Sequence, residues 1–194
     1  MESRSQAMVQ APTKPLTLED FLQLPETKPA SEYIDGQVIQ KPMPKTAHSG
    51  IQAGLIKAID PVLNPDKVGR AFPELRCSFN NRSIVPDLTV LPWSKIPRDE
   101  KGKLADELLA APDWMIEILS PQQSQTKVVK KIMHALSHGT AMGWLVDPEE
   151  ECVFVYTPDF KTTLYEEADD LLPVPAFAIA FKLTVGELVA WLYE

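Results

Sequence analysis

Two carboxylates stand where apolar residues belong. In DWMIEILSP (113–121), Glu117 interrupts Trp114, Met115, Ile116, Ile118 and Leu119, a run with the composition of a buried strand. In IVPDLTVL (84–91), Asp87 does the same one residue after Pro86. A lone carboxylate in an apolar interior costs several kcal/mol or gives up its charge unless a cation meets it. If the two runs pair in one sheet, both acids point to one face at similar depth and repel each other, so keeping both ionised calls for positive charge. Two arrangements supply it. Each acid pairs separately with an Arg or Lys, or the two share a divalent ion, Mg²⁺ or Mn²⁺ above all, because hard oxygen ligands suit hard ions.

A third group lies just beyond. Lys127, Lys130 and Lys131 fall in the first two turns of the helix that follows the Glu117 strand. Cations there oppose the helix dipole, so the placement has no structural merit of its own, although a phosphate drawn to the helix start would change that balance. A lysine reaching back over the acids could orient or deprotonate a water, or stabilise a pentacovalent phosphorane. A solvated helix face is the alternative.

Weaker candidates surround these. Glu32 precedes a hairpin signal and either joins the acids or is exposed. His48, near the start of a helix, is a capping residue, a neighbour of the site or a structural histidine. His134 and His138 share a helix face, but no HExxH pattern accompanies them to support zinc. GxGxxG, Walker and GxSxG patterns are absent, and Cys77 and Cys152 read as core thiols.

The elements that must position these residues follow from periodicity. Residues 16–24 read as a short helix capped by Thr17, with Glu19 and Asp20 in its first turn. Asp35-Gly36 between apolar flanks is a strong hairpin signal. Ile51, Leu55, Ile56, Ile59 and Leu63 recur at helical spacing over 46–63, with Pro61 and Pro65 marking the end. Strands are expected at 75–79, 84–91, with a kink or bulge at Pro86, and 114–119. Residues 94–107 between them form a charged loop. A helix over 124–138 stops at Gly139, strands follow at 143–147, 152–156 and 162–166, and a capping box at Thr184 and Glu187 opens a last helix. Helices alternating with strands predict an α/β domain with a mixed sheet.

Composition sets the outer bounds. The chain has 194 residues, 44% of them hydrophobic, enough for one domain over 16–194 behind a polar, proline-containing tail at 1–15. No apolar stretch is long enough to span a membrane, and the N-terminus is too polar for a signal peptide, so a cytoplasmic location is expected. A net charge of −8 argues against a broad nucleic-acid surface and leaves room for a local basic groove. A two-carboxylate glycoside hydrolase fits poorly, since only 8% of residues are aromatic.

Taken together, EYIDGQVI, the histidine of KTAHSG, VPDLTVL, APDWMIEILSP and HGTAMGWLVDPEEECVFVY resemble the Uma-type restriction endonuclease family of the PD-(D/E)XK nuclease superfamily over most of 17–194. The resemblance implies a restriction-endonuclease-like fold, a central mixed sheet flanked by helices. It implies a metal site at Asp87 and Glu117 for Mg²⁺ or Mn²⁺, with Glu32 as an upstream acid. The lysine two residues beyond the strand glutamate in the simple motif is Leu119 here, and Lys131 in the following helix matches instead. Relatives carry Asp at the position of Lys127 and Tyr at that of Ala135. The implied activity is a Mg²⁺-dependent endonuclease in which Asp87 and Glu117 hold the metal, Lys131 assists the nucleophile and the developing charge, and Lys127 and Lys130 contact flanking phosphates of nucleic acid, DNA above all. Pairing into a homodimer is expected, with the apolar run LLPVPAFAIAF (171–181) a candidate contact. The alternative is a nuclease-fold protein that no longer cuts and binds nucleic acid or a protein partner.

Overall fold

The computed structural model describes residues 16–121 and 123–193; the tail expected over 1–15 lies outside them. Helix α1 (Leu18–Leu22) opens with a capping box in which Thr17 accepts the Asp20 N–H and the Asp20 carboxylate accepts the Thr17 N–H. Strands β1 (Ser31–Ile34) and β2 (Gln37–Gln40) form the expected hairpin. Its turn residues Asp35 and Gly36 both have positive φ, 51° and 81°, as a two-residue turn of this hand requires. Helix α2 (Thr46–Leu63) has the expected bounds at both ends, but Pro61 sits inside its last turn instead of ending it.

The middle of the chain differs most from expectation. β3 (Gly69–Pro73) has no counterpart in the sequence reading. GRAFP holds a glycine, a charge and a proline, and it becomes a strand only because β6 (Leu88–Pro92) offers it five paired positions. The stretch 84–91, read as one kinked strand, is two strands in different sheets. β4 (Cys77–Phe79) and β5 (Arg82–Ile84) pair across Asn80-Asn81, and β5 belongs with β1. Val85-Pro86-Asp87 then carries the chain across to β6. Pro86 has no N–H for a ladder, and the Val85 N–H is donated to a side chain, Glu32 Oε1, at 2.8 Å.

The remaining strands are β7 (Trp114–Ile118), β8 (Met142–Asp147), β9 (Cys152–Tyr156) and β10 (Thr162–Tyr165). Helix α3 (Gln125–Leu136) connects β7 to β8, and α4 (Val185–Ala190) follows its own capping box at Thr184 and Glu187. The expected mixed sheet is six-stranded, ordered β10-β9-β8-β7-β6-β3, and a second, four-stranded sheet, β2-β1-β5-β4, accompanies it. In the larger sheet only β7 and β8 are parallel, as a connection through α3 permits.

Alternation along β7 divides the core. Trp114, Ile116 and Ile118 pack with Ile51, Leu55 and Ile59 of α2 on one face. Met115 packs with Val128 and Ile132 of α3 and with Cys77 and Ile84 of the smaller sheet on the other. The strand period of two therefore turns Glu117 toward α3. Gly143 on β8 lets α3 come close: a Cβ there would stand 2.4 Å from Ile132 Cγ2. The run 171–181 sends Leu172, Ala178 and Phe181 into the core, with Leu171 and Ile179 exposed. Both cysteines are free and buried. Among the described residues no helix is long and apolar enough to cross a membrane.

Candidate active site

β6 and β7 bring the two acids side by side. They are antiparallel, with Leu88 opposite Ile116. Asp87, one residue before Leu88, therefore adjoins Glu117, one residue after Ile116. Both are buried, at 3% and 1% exposure. They meet different partners. Asp87 Oδ2 accepts the Ile118 N–H at 2.8 Å, while Oδ1 accepts from Lys41 Nζ at 2.5 Å and lies 3.3 Å from His48 Nε2. Glu117 Oε1 lies 2.9 Å from Lys131 Nζ, yet neither of its oxygens has an aligned hydrogen-bond donor. That leaves Glu117 with one ion pair, at Oε1, and with Oε2 unpartnered in a site without solvent contact.

The titration of the two acids reflects this. Burial pushes the Glu117 carboxyl up to about 7, with the Lys131 ammonium pulling it back and Asp87 pushing the same way as burial. Burial works on Asp87 in the same direction, but the ammonium groups of Lys41 and Lys131, with the Ile118 N–H, hold it below the ordinary carboxylate range. One acid is thus firmly ionised and its neighbour is close to neutralisation.

Lys131 is the buried cation between elements. Its Nζ donates to Glu32 Oε1 at 2.9 Å on β1 and pairs with Glu117 on β7. Burial disfavours its charge, but Glu117 and Glu32 outweigh that and hold it protonated well above the ordinary lysine range. Glu32 Oε1 accepts both Lys131 Nζ and the Val85 N–H. Among the described residues no three His, Cys, Asp or Glu side chains converge as a metal-ligand set. Through Oε1, Glu32 is the counter-ion that fixes Lys131, and it lines the cavity beside the two acids.

Of the other expected residues, His48 reaches the cluster from the first turn of α2, and burial lowers its pKa against the opposing pull of Asp87. Lys127 and Lys130 do not touch the acids. Both are exposed on α3. Lys127 lines a cavity of about 440 Å³ with Glu32, Lys41 and Lys131, and Lys130 lines an adjoining one of about 670 Å³ that reaches Arg82. A third cavity, about 630 Å³, opens on His48 and Leu119. His134 and His138 are not a zinc pair: His134 stacks on Phe79, and His138 Nδ1 donates to the His134 carbonyl. Lys41 is the residue that sequence reasoning missed. It follows the end of β2 with no motif around it, and only the docking of the hairpin on the 85–87 crossing sets it on Asp87 and on the Val85 carbonyl at 2.7 Å.

Carboxylates paired at the start of β6 and within the adjoining β7 of a mixed sheet, with a helix-borne lysine over them, define the restriction-endonuclease-like class. The chain belongs to the Uma2 family, described as "Putative restriction endonuclease", whose model matches residues 18–186. A solved structure described as a putative nuclease from Anabaena variabilis is similar to it, with 56% identity over 92% of this chain and 99% of that one and a TM-score of 0.90. No curated protein matches. Family and structural relative together support a nuclease-type function.

Proposed function

We propose that the chain is a Mg²⁺- or Mn²⁺-dependent endonuclease that hydrolyses phosphodiester bonds of nucleic acid, DNA in the first place. The observation that carries this reading is Glu117: a buried carboxylate beside an ionised Asp87, with the Lys131 ammonium at Oε1 and no partner at Oε2. An unpartnered hard oxygen next to a second carboxylate is what a hard divalent cation binds. Asp87 and Glu117 are the residues that would hold it. A bound divalent ion supplies Lewis acidity toward a phosphoryl oxygen and lowers the pKa of a water.

The chain's own groups do the rest. Lys131, protonated and clamped between Glu32 and Glu117, does not act as a base; its charge stabilises the negative charge that builds on the phosphate during attack. The Ile118 N–H and Lys41 keep Asp87 ionised and fixed. Lys127 and Lys130, exposed along α3 beside the cavities, contact the flanking phosphates. With net charge −8, these contacts are a local strip and not a broad basic face.

A panel of single- and double-stranded DNA and RNA, incubated with Mg²⁺, Mn²⁺ or EDTA, tests the proposal. The expected result is metal-dependent cleavage, abolished in Asp87→Ala and Glu117→Ala. No cleavage of any substrate, with metal affinity equal in wild type and both variants, would overturn it in favour of a nuclease-fold binding protein.

A further inference from the structure

The buried cluster carries more positive charge than a two-carboxylate metal site needs, and the surplus is Lys41. Its side chain is 8% exposed and its Nζ is spent on two acceptors, Asp87 Oδ1 at 2.5 Å and the Val85 carbonyl at 2.7 Å. No shortage of solvent forces it there: Lys41 borders the 440 Å³ cavity, into which a four-carbon side chain has room to turn. The ligand atoms that remain open are unevenly distributed. On Asp87, Oδ1 is taken by Lys41 and Oδ2 by the Ile118 N–H, whereas Glu117 meets Lys131 at Oε1 and leaves Oε2 unpartnered. Charge gives the same asymmetry. With Glu117 ionised, as a bound cation would hold it, the three acids Glu32, Asp87 and Glu117 against the two ammonium groups of Lys41 and Lys131 leave one negative charge. One divalent ion turns that to one positive charge, which a phosphodiester neutralises; two would leave three positive charges in a buried site.

We infer that Lys41 is a positioning residue that stands as a fixed cation on Asp87, so that the site takes a single divalent ion, on its Glu117 side. This rests on the proposed metal-dependent reading. Lys41 fixes Asp87 from one flank and occupies Oδ1, the oxygen that a second ion would need.

The test is Mn²⁺ binding to the full chain, followed by calorimetry for stoichiometry and by electron paramagnetic resonance for coupling between ions. Wild type is expected to bind one uncoupled Mn²⁺. Lys41→Met, which keeps the length and removes the charge, is expected to bind a second ion or to bind the first at least tenfold more tightly, whereas Lys41→Arg stays at one with affinity near wild type. Metal-free Lys41→Met is also expected to melt below wild type, because Asp87 loses its cation, and to recover more on adding Mn²⁺ than wild type does. Two ions per wild-type chain, a measurement that needs no variant, would overturn the inference and leave the metal-dependent reading standing. So would a Lys41→Met protein that binds one ion at unchanged affinity. A wild-type chain that binds no Mn²⁺ would overturn both.

Discussion

Glu117→Gln separates an acid awaiting a cation from an ordinary buried ion pair. The folded protein raises the Glu117 carboxyl from an ordinary 4.5 to about 7. The folded state therefore holds this proton more tightly than the unfolded chain does, and ionisation of Glu117 opposes folding. The penalty is absent below pH 4.5, grows between pH 4.5 and 7, and is complete above pH 7. At about 1.4 kcal/mol per pKa unit the gap is worth about 3 kcal/mol. Glutamine has the same shape and no charge to desolvate, while Lys131 keeps Glu32 as its partner at 2.9 Å. In EDTA at pH 8, Glu117→Gln is therefore expected to be more stable than wild type by about 2–3 kcal/mol, or roughly 5–10 °C for a chain of this length. At pH 4.5 the two are expected to be nearly equal. Urea unfolding at the two pH values reads the difference. Mn²⁺ at about 1,000 times its Kd reverses the order, since it adds about 4.1 kcal/mol to the protein that binds it. A metal-free Glu117→Gln protein less stable than wild type at pH 8 would refute the reasoning.

Lys131→Met removes the cation shared by Glu32 and Glu117, and unfolding at pH 8 is expected to show a loss of about 3–5 kcal/mol. The lysine's own contribution is present at every pH below its unfolded value of 10.5. A smaller loss at pH 5 therefore reports Glu117 taking up a proton, and a loss under about 1 kcal/mol at pH 8 would show that Lys131 does not neutralise the acids. Gly143→Ala places a Cβ 2.4 Å from Ile132 Cγ2, beside Lys131. It is expected to cost about 1–3 kcal/mol by thermal melting and to slow cleavage with Mn²⁺ affinity reduced as well, because α3 must shift and carry Lys131 with it; unchanged cleavage and affinity would show that α3's depth does not set the site.

Much of this protein is legible one residue at a time. The capping boxes at Thr17 and Thr184, the Asp35-Gly36 turn and the α2 stripe are local chemistry, and each appears where periodicity and capping rules put it. Asp87 and Glu117 announce themselves because a carboxylate in an apolar run is anomalous wherever it occurs. β3 could not be read, since GRAFP has no strand propensity and exists through pairing with β6. The break at 85–87 was visible as a proline but not as a change of sheet, which depends on Glu32, far away in the chain, accepting the Val85 N–H.

The local sequence by itself determined the acids, the Glu117 strand and the lysine-bearing helix between β7 and β8. Which cation meets which acid was decided by tertiary structure alone. Glu32 reaches Lys131 across 99 positions of sequence, and Lys41 reaches Asp87 across 46. No periodicity carries that information, because the pairing follows from the docking of the β1–β2 hairpin over the edge between the two sheets. Burial then sets the chemistry: the same two carboxylates in water would titrate alike, and here one is held ionised and the other is left waiting for charge.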